Sequence, residues 1–372
     1  MKIGFDYQTA AGRGGNARYT RGLVEHLAIS QDSDEFYLYD FVHGIRKRGL
    51  LPSDKHVHSR FVYLTPPYAP RDIQSFNDWV TRTMSRFNSL DLFHFTNPQN
   101  MTNGRYDAVV TVHDMSTFTD ESFAKSESHK TLERKLSAIL HETKAIIAVS
   151  EYTKRDLVEN FGADSAKITV IYEAADERFY PNQDMTVGAQ FGVSKFILYA
   201  GQLQPRKNLI NLINAFSIMR NQYLDVSLIL VGNARDEEYK RKLQEAITKN
   251  NLKDAVVFAG VVDDATLRKL YSATECFIYP SLFEGFGLPP LEAMQCGAPV
   301  IVTNTTSLPE VVGDAGILVD PHDASKIAEA IGQVLGDKVF QSQLRAASIA
   351  RARVFTWGKS ARETLAVYKK YK

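Results

Sequence analysis

Six short apolar runs in the second half of the chain constrain its fold more than any other feature. Lys195–Ala200 (KFILYA), Val226–Val231 (VSLILV), Ala255–Ala259 (AVVFA), Glu275–Tyr279 (ECFIY), Pro299–Thr303 (PVIVT) and Gly316–Asp320 (GILVD) are continuous rather than alternating. A strand with one wet face alternates apolar and polar residues. A continuous run needs cover on both faces, the condition of a parallel sheet between helix layers. Helical patterns separate the runs, among them Leu209–Arg220 and Ala265–Ala273, with Asp264 placed to cap the second. The first half repeats the alternation, with strands predicted at Lys2–Tyr7, Phe36–Val42, Phe61–Leu64, Leu92–Phe95, Ala108–His113, Ala145–Val149 and Lys167–Tyr172. Its clearest helices are Asn16–Ala28 and Glu151–Asn160, the latter with Ser150 as N-cap. Between the halves, Pro181–Gly188 is polar and without period, and reads as a linker. The spacing predicts two consecutive α/β domains, 1–182 and 190–355, then a final helix over Trp357–Tyr371. Ligands of such sheets bind outside the carboxyl ends of the strands, so a cleft between the domains is the expected site.

Composition excludes several functions. A chain of 372 residues with 44 Lys plus Arg against 43 Asp plus Glu lacks the basic surplus of a nucleic-acid binder that works by bulk charge. Two cysteines are too few for a disulfide framework, and both read as buried thiols in a reducing compartment. No secretory h-region follows Met1, and no stretch approaches about 20 uninterrupted apolar residues. The expected location is cytoplasmic. The pattern around Arg71–Leu90 reads first as a core-facing amphipathic helix, with peripheral contact at the cytoplasmic membrane face as the alternative. His43–Arg60 is mildly basic and reads as a solvated loop.

Three constellations carry chemistry. In GQLQPRKN (Gly201–Asn208) a strand ends and a helix begins, which sets Arg206 and Lys207 beside helix-start amides, with Asn208 as the cap. That is a phosphate site in chemistry and in place. In LFEGFGLPPLEAM (Leu282–Met294), Gly285 and Gly287 admit close backbone approach, and Pro289-Pro290 suits a first helical turn. A diphosphate there meets amides on one side and the basic pair on the other, without a metal ion. Glu284 repels phosphate, so it should face neutral hydroxyls. Glu292, read as lying in the first helical turn, suits vicinal hydroxyls. Two carboxylates seeking hydroxyls beside a diphosphate describe a nucleotide sugar. The third constellation is the glycine cluster Ala10–Asn16, whose spacing is not that of a dinucleotide fingerprint and which reads equally as a flexible turn between strand and helix. Asp263-Asp264 reads as a helix cap rather than as a metal-binding pair.

Glu284 and Glu292 match the E-x7-E signature of retaining glycosyltransferases, and EGFGLPPLEAMQCGAPVI resembles the core motif of family 4 of these enzymes. The G-x4-RKN segment, the F-x-G of Phe258–Gly260, the His113-Asp114 pair and the glycine-rich loop match the same family in order. The resemblance implies a GT-B fold: two Rossmann-like domains facing each other across a cleft, with helix 357–372 crossing back to the N-terminal, acceptor-side domain. It implies that Arg206 and Lys207 hold the donor diphosphate, Glu284 the sugar hydroxyls and Glu292 the ribose. The amides of Phe286, Gly287 and Leu288 would touch sugar and phosphate, and Gly260 and Val261 the base. His113 would orient and polarise the donor sugar, while Gly14 and Gly15 admit donor and acceptor.

The similarity to bacterial polysaccharide mannosyltransferases makes GDP-mannose the expected donor. The acceptor would be a glycan or lipid-linked saccharide, as in lipopolysaccharide synthesis, with no cofactor or metal required. A UDP-hexose donor, a nucleotide-sugar epimerase and a non-catalytic nucleotide-sugar binder remain as alternatives.

Overall fold

The computed structural model describes residues 1–12, 14–29, 34–39, 57–58, 90–101, 107–115, 136–234 and 236–371. The strand predicted at Phe61–Leu64, nearly all of the helix at Arg71–Leu90 and most of the basic run His43–Arg60 fall outside them. The chain divides into two compact units, residues 1–174 with 356–372, and residues 175–355.

The first unit holds a seven-stranded sheet of β1 (Lys2–Asp6), β2 (Glu35–Tyr39), β3 (Val57–His58), β4 (Leu92–Phe95), β5 (Ala108–Val112), β6 (Ala145–Ala148) and β7 (Ile168–Val170). All neighbours pair in parallel, in the order β3-β2-β1-β4-β5-β6-β7. The chain builds outward from β1 in one direction and then returns to β4 on the other side. The carboxyl ends of β1 and β4 therefore mark the switch point where such sheets open a crevice.

The second unit repeats the plan with β8 (Lys195–Ala200), β9 (Val226–Val231), β10 (Val256–Gly260), β11 (Phe277–Tyr279), β12 (Val300–Thr303) and β13 (Ile317–Val319). Its order is β10-β9-β8-β11-β12-β13, again wholly parallel, with the switch point between β8 and β11. The runs of the four inner strands are buried as their composition requires: Ile197, Leu198, Ile229, Leu230, Ile278 and Ile301 have no exposed surface, while the edge strands β10 and β13 leave Phe258 and Leu318 exposed.

Aspartates start most of the helices here. Asp236, Asp263, Asp323 and Asp337 each accept from amides of the first turn, and Asp337 also ends the preceding helix Ala324–Gly336. The cap of Asp264–Ala273 is thus Asp263 rather than Asp264, whose carboxylate instead pairs with Arg178 at 2.9 Å.

The segment Pro181–Gly188, expected to link the domains, lies within the second unit, and the division falls at Ala174/Ala175 instead of near residue 182. Asn182, Asp184 and Thr186 are engaged there. The Asn182 amide donates to Ser272 Oγ at 3.0 Å, and Asp184 pairs with Lys269 at 2.9 Å. Both partners belong to the helix Asp264–Ala273.

The final helix, Trp357–Lys369, belongs to the first unit. Thr356 caps it, and Trp357, Ala361, Leu365 and Tyr368 join the core formed by Phe5, Leu23 and Leu27. Gly22 on the helix Gly15–Ile29 makes this docking possible. A Cβ there would lie 2.4 Å from the indole ring of Trp357. Both cysteines are buried and unoxidised.

Candidate functional site

In the second unit the site grows from the two strands that flank the switch point. After β8 the chain makes a one-turn helix, Pro205–Lys207, which presents Arg206 and Lys207. After β11 it makes the loop that carries Glu284. The carbonyl of Arg206 accepts the Leu282 amide at 2.9 Å and the Ser281 hydroxyl at 3.3 Å, so the loops are fastened together beneath the charged side chains.

Lys207 is only 5% exposed. Its ammonium donates to Glu284 Oε1 in a very short ion pair and to the Tyr279 hydroxyl at 2.8 Å. Arg206 Nη1 donates to the Phe283 carbonyl at 2.5 Å and lies 3.4 Å from Glu284 Oε2. Glu284 is thus gripped by both cations. Burial alone would push its pKa up, but the positive charges of Lys207 and Arg206 outweigh burial and hold it below the usual glutamate value. The expectation that Glu284 faces hydroxyls is incomplete, because both of its oxygens already meet cations.

Beyond Glu284 the backbone is held by its neighbours. Thr306 Oγ1 accepts from the Glu284 amide at 3.2 Å, and Ser307 Oγ donates to the carbonyls of Glu284 and Phe286. The helix Leu288–Gln295 then starts from Gly287, whose φ of 119° only glycine adopts easily. Pro289 and Pro290 have no N–H. The first bond of the helix is the Leu291 amide to the Gly287 carbonyl at 3.2 Å, so the amides of Gly287 and Leu288, both buried residues, come ahead of the intrahelical ladder.

The other helix start differs from expectation. Asn208 has a left-handed backbone and makes no side-chain cap; its side-chain Nδ2 donates to the Pro321 carbonyl at 2.7 Å. The Leu209 amide donates to the Tyr239 hydroxyl, and the amides of Lys207 and Asn208 close the turn on Gln204 and Pro205. Those donors are spent inside the protein, so any phosphate site here rests on the cations and the Gly287–Leu288 helix start.

Glu292 also sits deeper than expected. It lies in the second helical turn, is 2% exposed, and accepts from the Tyr271 hydroxyl at 3.3 Å. At the end of β10, Phe258 and Val261 are exposed and Gly260 has a left-handed backbone with open space beyond it. The Gly260 carbonyl accepts the Gly232 amide at 2.8 Å, so it is already used between strands.

In the first unit, Gly14 and Gly15 lie where β1 gives way to the helix Gly15–Ile29, and a Cβ on Gly14 would meet nothing within 4 Å. Arg21 pins the preceding turn by donating to the carbonyls of Ala10 at 2.5 Å and Gly12 at 3.1 Å. Asn100 bridges the switch point, donating to Asp6 Oδ2 at 2.7 Å and Thr9 Oγ1 at 3.2 Å.

His113 directly follows β5. Its Nε2 donates to the Thr96 carbonyl at 2.9 Å, and its Nδ1 lies 2.7 Å from Glu173 Oε1. Burial disfavours charge on the ring, but the Glu173 hydrogen bond and charge, with smaller help from Thr96 and Asp114, raise the pKa above the ordinary histidine value. Behind it runs a buried polar chain: Tyr368 hydroxyl to His94 Nδ1 at 2.6 Å, His94 Nε2 to Thr111 at 2.8 Å, Thr111 to Tyr19 at 2.9 Å. Tyr19 then meets the His113 ring edge-on. Burial, with the like charge of His113, drives His94 down to about 3, so this second histidine stays neutral. No cluster of three or more His, Cys, Asp or Glu suited to a metal ion occurs among the described residues.

Two family models divide the chain between them. One, described as glycosyl transferases group 1, matches residues 184–354, and the other, glycosyltransferase family 4, matches residues 13–179. The chain is a family 4, group 1 glycosyltransferase. A curated member, O-antigen chain mannosyltransferase B of Escherichia coli, is 29% identical over 95% of this chain and 96% of its own. The serotype-specific mannosyltransferase WbdA of Escherichia coli is 32% identical over 58% of this chain, a stretch that spans 28% of that protein. Among solved structures, sucrose-phosphate synthase of Thermosynechococcus elongatus superposes with a TM-score of 0.81 over all of this chain and 98% of its own at 22% identity, a likeness of the GT-B fold.

Within this glycosyltransferase, the second unit brings Arg206, Lys207 and Glu284 into one cluster, with Phe286, Gly287 and Leu288 following on the same loop. Glu292, on the helix that follows, accepts from Tyr271. Sequence reasoning missed Tyr279, because a tyrosine closing an apolar strand reads as core, and Glu173, because the loop after β7 has no period to mark it. No helix among the described residues is long and apolar enough to cross a membrane.

Proposed function

We propose that this glycosyltransferase moves mannose from GDP-mannose to a hydroxyl of a glycan or lipid-linked saccharide in bacterial surface polysaccharide synthesis. The anomeric configuration is retained and no metal is needed. The observation that carries the reading is the Arg206–Lys207–Glu284 cluster at the β8/β11 switch point, beside the Gly287–Leu288 helix start. The mannosyltransferases of similar sequence support the choice of sugar.

In this proposal Arg206, the more exposed of the two cations, bonds the donor diphosphate together with the amides of Phe286, Gly287 and Leu288. Lys207, buried on Glu284 and Tyr279, contributes its field. As the glycosidic bond breaks, negative charge grows on the departing phosphate, and a preorganised positive potential lowers that barrier more than it aids donor binding. Glu284 orients sugar hydroxyls while it fixes both cations. Glu292 serves the ribose and Gly260 and Val261 the base. Gly14 and Gly15 admit donor and acceptor, and His113 supplies orientation and charge.

The test is a donor panel of GDP-mannose and UDP-hexoses against mannose-terminated, lipid-linked acceptors, with the product anomer read by NMR. Transfer from GDP-mannose with retention is expected. Inversion would overturn the mechanism, and transfer from UDP-hexose alone would overturn the donor. An isomerised sugar formed without acceptor would mark an epimerase, and saturable binding without turnover a binding protein.

A further inference from the structure

His113 has both ring nitrogens committed to the protein. The Thr96 oxygen is a carbonyl and can only accept, so Nε2 carries hydrogen. Nδ1 faces Glu173 Oε1 at 2.7 Å, and the two side chains are only 10% and 4% exposed. One further proton is therefore held between a ring and a carboxylate, neither with ready access to water. The groups around the ring decide where it sits. Asp114 follows on the same loop, Thr96 presents its oxygen from the end of β4, and Tyr19 contributes a ring edge from the helix Gly15–Ile29. His94, on β4 behind, is neutral and offers no competing cation near neutral pH.

We infer that Glu173 is a positioning residue that keeps His113 as an imidazolium, so that the ring acts in glycosyl transfer as a fixed cation and never as a proton acceptor. This rests on the glycosyltransferase reading of the site. A ring with no lone pair open to substrate cannot serve as a general base. A positive charge held by carboxylate, carbonyl and packing costs no reorganisation when negative charge develops on the donor. Glu173 thereby acquires a role in the reaction although it need touch no substrate.

The experiment is nitrogen NMR of the histidine side chains of the whole chain near neutral pH, with His113 assigned through His113→Gln. Both His113 nitrogens should be protonated. Glu173→Gln keeps the size and can donate its amide to a bare Nδ1, so His113 should hold its proton roughly tenfold or more less tightly. Glu173→Asp should restore much of the difference. In turnover, the loss of kcat toward alkaline pH should move to lower pH in Glu173→Gln while KM stays near its wild-type value.

A wild-type ring with one bare nitrogen at neutral pH overturns the inference, whatever the turnover. So does a Glu173→Gln chain whose His113 titrates with the wild type, or whose rate profile does not follow the shift. If no donor is turned over by the wild type, the functional reading falls, while the spectra still decide the state of His113. Should Glu173→Gln fail to fold, the wild-type spectrum and Glu173→Asp decide alone.

Discussion

Lys207→Met removes a buried ammonium and leaves a buried carboxylate behind. In the wild type, Lys207 and Glu284 are 5% and 8% exposed, and the carboxylate is shared between the ammonium and an Arg206 nitrogen at 3.4 Å. Breaking a buried pair by deleting one partner costs about 3 to 5 kcal/mol, because the remaining charge keeps its desolvation penalty. Arg206 still offsets part of that penalty, so the lower end, about 3 kcal/mol, is expected. Lys207→Met/Glu284→Gln removes both charges and should be more stable than Lys207→Met alone, with a coupling energy of roughly 1.5 kcal/mol or more in the double-mutant cycle.

Tryptophan fluorescence is blind to this unit, since the chain's 2 tryptophans are Trp79 and Trp357. The readout should be hydrogen exchange of peptides covering β8 and β11 across a urea series. The pH dependence has a defined sign. Glu284 is depressed in the fold, so its contribution is present above the unfolded pKa of about 4.3 and is lost as pH falls through the lower folded value. The deficit of Lys207→Met should be largest at neutral pH and narrow in acid. A variant within about 0.5 kcal/mol of wild type, or a double mutant as unstable as the sum of the singles, would refute the buried-pair account.

Arg206→Ala should lower kcat by roughly 100-fold with a smaller loss of donor affinity; a wild-type rate would end its leaving-group role. Turnover should persist in excess chelator, and activity lost to chelator and restored by Mg²⁺ or Mn²⁺ would contradict the proposal. Gly22→Ala should destabilise the first unit by about 1 to 3 kcal/mol, since the added methyl meets the Trp357 ring and cannot swing aside. Urea unfolding followed by Trp357 emission measures that loss, and an unchanged midpoint would mean that the final helix is not docked through Gly22. His94, held near 3 in the fold against about 6.5 unfolded, should make the first unit lose stability as pH falls through that window, on the order of 5 kcal/mol in all. His94→Gln should flatten this slope. His113 does not cancel it, because a raised histidine contributes fully below about 6.5 and changes only above it.

The strands were legible because burial on both faces leaves a run such as VSLILV no polar position to spare, and the observed β9 matches that run residue for residue. Charges were harder to place. The sequence puts Arg206, Lys207 and Glu284 on loops that meet, but it does not say that the carboxylate turns toward the cations instead of a ligand. That choice depends on burial, which pairs opposite charges before it leaves them waiting for a substrate. Asn208 shows the same limit. Its composition suits a cap, yet the Pro321 carbonyl, 113 residues away, takes its side chain, and the Leu209 amide turns to the Tyr239 hydroxyl. Glu173 had no local signal at all, since its partner lies 60 residues earlier.

The first unit is assembled from two separated pieces of chain, residues 1–174 and 356–372, with the second unit threaded between them. A ribosome therefore releases every residue of the second unit before the first can be finished. Until Trp357 and Tyr368 emerge, the groove around Gly22 and Leu23 stays open to water, and His94 waits for the hydroxyl that Tyr368 brings. The nascent protein should mature from the middle outward, with its opening half the last to become resistant to proteases.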